Sequence, residues 1–380
     1  MASSGRAVCH GVDKLKLRVR AIKKMTLAAQ KTDSRLNFNN RAKKAIFQKA
    51  IHIDANAGEI IKVDEIKRAA ARIAPYIKRT PTVHDNALSE RFASNFYLKL
   101  ELLQNTGAFK VRGAFNKMLT LSDEEKTRGI VAVSGGNHAK AVAYAAKKLG
   151  QKALILMPEV TPENYVSETK NYGAEVELFP TMAEAFKRAR EYESEGRVYI
   201  HPFDDETVIA GQGTIGLEIL EDVPQVTDVI VSIGGGGLAG GVAAAIKSLK
   251  PNVKIWGVET KGAESMAKAL EAGHIVELEK ITSIARTLGA PAVAPITFDL
   301  ARKYLSGVTV VSDEEAVEEL FYILDRVKVL TEPATSCTLA AAKRLSANFT
   351  AKSHVVLILC GGNIGLNDLF ELQALEKQTI

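Results

Sequence analysis

The sequence predicts an α/β protein of two open, mostly parallel sheets, each flanked by helices. Three observations carry this expectation. Short apolar runs alternate with longer stretches at helical spacing. Alternating strands and helices imply parallel sheets covered on both faces. The chain has 380 residues, and at roughly 100–200 residues per domain two domains fit that length.

The pattern becomes regular from about residue 61. Residues Val63 to Ile77 read as an amphipathic helix, with Ile66, Ala70, Ile73 and Ile77 at helical spacing. A strand at Asn95 to Lys99 leads into the segment around Lys110. The strand Ile130 to Val133 runs into a glycine turn and an alanine-rich helix, His138 to Leu149. The unit then repeats. Ala153 to Met157 is a strand and Pro162 to Tyr172 a helix; Val176 to Phe179 is a strand and Met182 to Glu195 a helix. Val229 to Ile233 precedes four glycines, and Leu238 to Leu249 is a helix. Lys254 to Val258 and Val355 to Leu359 complete the apolar strands.

Composition places the chain among ordinary globular proteins, with 46% hydrophobic and 25% charged residues. No apolar run reaches membrane-spanning length. Cys9, Cys337 and Cys360 have neither metal-ligand spacing nor the arrangement of a disulfide framework. A reducing compartment, the cytoplasm, is the expectation. The net charge of +6 is unevenly placed: residues 1–50 hold 13 Lys+Arg against 2 Asp+Glu, and the remainder 37 against 42. A nucleic-acid partner would rest on that tail alone and is not expected, nor is a membrane. The basic, acid-poor segment 1–60 reads either as a flexible or packed extension or as an address to a mitochondrion or plastid.

The chemistry gathers in a few loops. Lys110 sits in Asn105-Thr106-Gly107-Ala108-Phe109-Lys110-Val111-Arg112-Gly113-Ala114. Read alone, it could be a surface lysine snorkelling at a helix start. An amine that forms imines needs its charge disfavoured, by burial or by a neighbouring cation. The run Gly234-Gly235-Gly236-Gly237-Leu238 follows a strand and opens a helix. Backbone N–H groups there can surround a phosphate, and glycines let the backbone come close. A dinucleotide fold competes for the same residues, since Gly234, Gly236 and Ala239 match G-x-G-x-x-G/A and Glu259 lies about 20 residues on. Ser134-Gly135-Gly136-Asn137-His138 and Cys360-Gly361-Gly362-Asn363 add polar contacts. One amine, one anion cradle and these contacts suffice to hold pyridoxal phosphate.

With these motifs the chain resembles the threonine/serine dehydratase branch of the fold-type II pyridoxal-phosphate enzymes, which are tryptophan synthase β-like, over roughly residues 61–370. The family's Ser-Phe-Lys-x-Arg-Gly-Ala reads Ala108 to Ala114 here, and its Ser-x-Gly-Asn-His loop reads Ser134 to His138. The segments His201 to Asp205 and Ala210 to Thr214 also resemble the family. The resemblance implies an imine at Lys110, ring packing by Phe109, and an Asn137 contact to the cofactor's phenolic oxygen. It implies phosphate binding by Gly234, Gly235, Gly236, Gly237 and Leu238. It places substrate at Ser134, Gly135, Gly136, Asn137 and His138. Cys360 stands where the family faces the pyridine nitrogen with Ser, Thr or Cys; its other reading is a small buried hydrophobe. The implied reaction is α,β-elimination from threonine, serine or a related β-hydroxy amino acid. Lys110 takes the α-proton, and the β-hydroxyl leaves with acid assistance from the phosphate side. A smaller domain around residues 97–190 is expected inside the larger one, with 371–380 as a tail. The resemblance also implies a homodimer.

The departures concern substrate and metal. Racemases of the family carry a second serine where this chain has Gly135, so an amino-acid racemase is the alternative and lacks its opposite-face acid. A non-catalytic cofactor- or amino-acid-binding protein is the third reading. Some relatives bind Mg²⁺ or another cation at positions matching Glu259, Ala263 and Ser265, where Ser265 replaces the hard carboxylate. The family's Glu-Pro-x-Gly-Ala reads Glu332-Pro333-Ala334-Thr335-Ser336. Arg286 stands where many dehydratases carry Asp; it either pairs with an acidic or polar substrate side chain or serves as a lid or surface residue. Tyr165 stands where relatives often carry Lys. The C-terminal regulatory domain of biosynthetic threonine deaminases has no counterpart after Asn363, so feedback through such a domain is not expected.

Overall fold

The computed structural model describes residues 60–379, so the basic extension lies almost wholly outside the described residues. Ten strands occur among them: β1 (Thr82–His84), β2 (Asn95–Lys99), β3 (Ile130–Val133), β4 (Ala153–Pro158), β5 (Glu175–Phe179), β6 (Val198–Tyr199), β7 (Asp228–Ser232), β8 (Lys254–Thr260), β9 (Gly307–Val311) and β10 (His354–Ile358). They form a six-stranded sheet of order β1-β2-β10-β7-β8-β9 and a four-stranded sheet of order β5-β4-β3-β6. All pairings are parallel except β1 with β2. The two-domain α/β architecture expected from the alternating pattern is the one found.

Burial explains which strands the sequence revealed. β3, β4 and β7 are buried at every residue, and apart from the polar ends of β7, Asp228 and Ser232, they read as apolar runs. In the small sheet Val131, Val133, Leu154 and Leu156 pack on Ala185 and Ala189 of the helix Met182–Ser194. Their neighbours Ile130, Ala132, Ile155 and Met157 face the opposite way, onto Ala139, Val142 and Ala143 of the helix Asn137–Leu149. In the large sheet Val229, Val231, Val356 and Ile358 meet the helix Gly237–Leu249, while Ile230, Val355 and Leu357 meet the helix Pro333–Leu345. Each such side chain contributes roughly 1.5–3 kcal/mol on full burial. The edge strands β1 and β9 are half-exposed or exposed along most of their length. They lack a long apolar run, and the sequence reading passed them over.

The first helix is Val63–Ile73, with Ile66, Ala69 and Ile73 buried; it stops short of the expected Ile77. Residues 366–379 form a helix, Leu366–Thr379, so the expected tail begins inside a helix. Leu372 is buried there in one cluster with Val317 and Leu320. Among the described residues no helix is long and apolar enough to cross a membrane.

The loops singled out by sequence leave the carboxyl ends of parallel strands. Ser134 follows β3, Gly234 follows β7 and Cys360 follows β10. That end of an open α/β sheet is where ligands bind.

Candidate active site

Lys110 is held from behind. It immediately precedes the helix Val111–Leu119, whose Arg112 is fully buried and pairs with Glu101 at 2.7 Å and Glu218 at 2.7 Å. Arg112 also donates to Thr214 at 3.1 Å. Buried Lys99 adds a bond to Thr80 O at 2.7 Å and a pair with Glu218 at 2.5 Å. Burial alone would push the Glu101 carboxyl up, but the Arg112 guanidinium holds it below its ordinary value. The same partners raise Arg112. The Lys110 segment is also clipped to the Cys360 loop: Phe109 N–H donates to Cys360 O at 3.0 Å, and Gly362 N–H to Gly107 O at 3.0 Å. Gly107 turns here with φ +73°, a conformation that glycine adopts without strain.

The Lys110 amine donates to Pro202 O at 2.9 Å and lies 5.1 Å from the Phe109 ring centre. Burial lowers its pKa to about 8, against an opposing pull from Cys360. Pro202 belongs to a turn pinned by His201, whose Nδ1 accepts the N–H groups of Phe203 and Asp204. Burial, and then the Lys110 charge, lower His201 to about 4, which keeps that nitrogen an acceptor.

Phe203 ties this turn to the tetraglycine. A Cβ on Gly235 would run into the Phe203 ring, and one on Gly237 would lie 3.0 Å from Phe203 Cβ. Gly236 has φ +92° and precedes the helix Gly237–Leu249. A Cβ on Gly234 would meet Leu288 at 3.2 Å. Leu238 is buried in the core beneath. Lys110 and the four glycines therefore flank one turn, Pro202–Phe203, on the same side of the molecule.

The asparagine loop completes the arrangement. Ser134 Oγ accepts Gly136 N–H at 3.1 Å. Asn137 and His138, both buried, begin the helix Asn137–Leu149. Asn137 Nδ2 donates to Glu332 Oε1 at 2.8 Å, and Thr287 Oγ1 donates to the same oxygen at 3.0 Å. The other oxygen, Glu332 Oε2, is buried without a partner among the described residues, as is His138 Nδ1. Burial pushes Glu332 up to about 7 and lowers His138 to about 3. Gly135 faces Thr161, whose Oγ1 would lie 2.5 Å from a Cβ there and has no hydrogen-bond partner.

Cys360 is buried, with Thr335 Oγ1 at 3.2 Å and Ser232 Oγ at 3.7 Å from its sulfur. Burial pushes the thiol up to about 11, so it stays protonated and uncharged at neutral pH. Thr335 also takes part in two bonds with Gly361: it donates to the carbonyl at 2.7 Å and accepts the N–H at 3.0 Å.

Four contributors escaped the sequence reading. Thr335 and Glu332 were noticed as departures or motif members, with no contact foreseen. Thr287 was passed over, and Lys140 lay unremarked in an alanine-rich helix. The one available signal was Glu332-Pro333, a start for a helix that points its first residues at the glycine loop.

The remaining candidates lie elsewhere or do less. Arg286 is exposed, on the short turn Arg286–Leu288 beside Thr287. Glu259 is fully buried, and its two oxygens accept the N–H groups of Met266 and Ala267, both at 2.8 Å. Burial pushes it up to about 8. Ala263 and Ser265 are buried nearby in sequence, with Ser265 Oγ unpartnered. Among the described residues no three His, Cys, Asp or Glu side chains cluster as metal ligands would. Glu259 thus caps the start of the helix Ser265–Ala272.

Comparison with known proteins identifies the family. The family described as "Pyridoxal-phosphate dependent enzyme" matches residues 73–361. An L-threonine ammonia-lyase of Thermotoga maritima is 41% identical over 310 residues, which cover 81% of this chain and 77% of the relative. Among solved structures, maize serine racemase superposes with a TM-score of 0.78 at 35% identity, over 84% of this chain and all of that one. The processed form of threonine deaminase isoform 2 from Solanum lycopersicum gives 0.77 at 33% identity, over 82% and 93%.

Proposed function

Since the chain belongs to the pyridoxal-phosphate dependent enzyme family, we propose that it is an ammonia-lyase converting L-threonine, L-serine or both to a 2-oxo acid and ammonia. One observation carries the reading: a lysine amine lowered to about 8 shares one turn with four glycines that open a helix. The L-threonine ammonia-lyase relative supplies the reaction class.

The residues fit the cofactor. Side chains on Gly235 and Gly237 would collide with Phe203, so this stretch is reserved for backbone, as a phosphate cradle requires. Lys110 would hold the aldehyde carbon, Gly234 to Leu238 the phosphate, Asn137 the phenolic oxygen and Phe109 the ring face. The neutral Cys360 thiol would face the pyridine nitrogen, leaving that nitrogen without a counter-charge. When bound, pyridoxal phosphate supplies an electron-withdrawing ring that stabilises negative charge at the substrate Cα.

The protein's own groups then divide the work. At neutral pH a useful fraction of Lys110 is uncharged, so Nζ is competent as nucleophile and, once displaced, as the base that takes the Cα proton. The Ser134–His138 loop and its helix start offer N–H groups to the substrate carboxylate. His138 stays neutral beside Lys110 and does not compete for the proton. A homodimer suits the resemblance, and light scattering of the purified protein tests it. No step is assigned to a cation.

The racemase reading draws on the serine racemase neighbour. Position 135 counts against it. A serine there would need the space that Thr161 Oγ1 fills. Incubation of the cofactor-loaded protein with L-threonine and L-serine should yield 2-oxo acid and little D-serine by chiral chromatography. D-serine as the main product would overturn the lyase reading. Imine absorbance without turnover would turn it into a binding protein.

A further inference from the structure

Beyond the residues that touch the cofactor, we propose that Lys140 is a positioning residue: acting through Asn363, it fixes the Asn137 amide so that one Nδ2–H is kept for the cofactor's phenolic oxygen. This rests on the cofactor reading above.

Lys140 lies one helical turn beyond Asn137 and is 5% exposed. Its ammonium donates to Asn363 Oδ1 at 2.8 Å and pairs with Glu168. An ammonium has donors only. Asn363 must therefore turn its oxygen to Lys140 and its nitrogen away. That nitrogen donates to Thr106 O at 2.8 Å and to Asn137 Oδ1 at 2.7 Å. Asn137 is thereby forced to present Nδ2 on its other side, where one hydrogen goes to Glu332 Oε1. The second hydrogen makes no bond to the described residues. Tyr165 holds the Asn363 carbonyl at 2.5 Å, and its ring lies 5.4 Å from the Lys140 amine.

The far end of this chain does not fix the direction by itself. Glu332 feels the charge of Lys140 and acts electrostatically on Tyr165, Cys360 and Cys337, and burial raises its pKa to about 7. As a carboxylate it only accepts, and it holds Asn137 in the same sense as Lys140 does. In its protonated form it can also donate, and both amides could then reverse together. Lys140, which only donates to Asn363, and the Thr106 carbonyl, which only accepts from it, then oppose that reversal.

The test is the absorbance of the cofactor-loaded protein across pH. Lys140→Met should lose the visible imine band in favour of the near-ultraviolet band below about pH 7, and weaken cofactor binding about tenfold by equilibrium dialysis, a factor worth 1.4 kcal/mol. Lys140→Arg, donor-only again, should restore the band. Glu168→Gln removes the ion pair while keeping the Asn363 bond and should leave the spectrum unchanged. If Lys140→Met fails to fold, Asn363→Asp serves, since a carboxylate cannot donate to Asn137 and should give the same spectral change. A wild-type spectrum in Lys140→Met or Asn363→Asp at every pH overturns the proposal, as does a Glu168→Gln spectrum that changes like that of Lys140→Met. Failure of the cofactor reading is a separate result, in which the wild-type protein shows no imine band at all.

Discussion

Two polar regions lie on either side of Lys110, and they are built in opposite ways. Behind it, Arg112 spends its donors on Glu101, Glu218 and Thr214, and Lys99 finds Thr80 and Glu218. In front, among the described residues, Glu332 Oε2 and His138 Nδ1 are buried with no partner, and the Lys110 amine donates to one carbonyl. A protein normally satisfies its buried polar groups. The rear cluster obeys and anchors the lysine segment. The front leaves capacity open, which is what a site prepared for a polar ligand must do. Stability and chemistry are thus separated by the length of one residue's side chain.

Substitutions can break that division. The largest effect should come from Lys110→Ala, which removes the proposed base and covalent anchor. Turnover should fall by at least about 10³-fold and the imine band should vanish, with little change in the denaturation midpoint. A midpoint loss as large as that of the rear cluster would erase the distinction. Arg112→Ala attacks the other side. It leaves Glu101 buried and uncompensated and should cost roughly 3–5 kcal/mol in denaturant titrations. An intermediate effect is expected for Gly235→Ala. Its methyl group must displace the Phe203 ring, at about 1–3 kcal/mol, and cofactor affinity measured by dialysis should fall with it.

Two pH effects sharpen the comparison. Folding lowers Lys110 to about 8. Cofactor uptake by the cofactor-free protein should therefore quicken as pH rises through about 8 and level off above it, as stopped-flow absorbance will show. Uptake at an even rate from acid to alkaline pH would contradict the enclosed amine. Folding raises Glu332 to about 7. A carboxyl with a raised pKa contributes stability that is complete below its ordinary range and lost as pH climbs through the raised value. Between about pH 5 and 8 the wild type should lose stability more steeply than Glu332→Gln. Equal slopes would place a charged carboxylate in the front region.

The sequence disclosed its interior better than its edges. β3, β4 and β7 were legible because burial on both faces demands unbroken apolar residues. The edge strands β1, β6 and β9 escaped because an edge makes no such demand, while the edge strand β5 was legible only through its run from Val176 to Phe179. Among the site residues, the glycines and Lys110 were visible because few other uses explain four successive glycines after a strand. Thr287 and Lys140 were not, because a threonine in a loop and a lysine in a helix are ordinary until something is packed against them.

Sequence by itself determined the alternation of strands and helices, the family motifs and the candidate amine, since each depends on local pattern or residue chemistry. The tertiary structure decided which groups were left unpaired. Burial lowers Lys110, Thr161 fills the space at Gly135, and Glu259 turns to a helix start. Those outcomes depend on contacts between segments far apart in the chain, which local pattern does not encode.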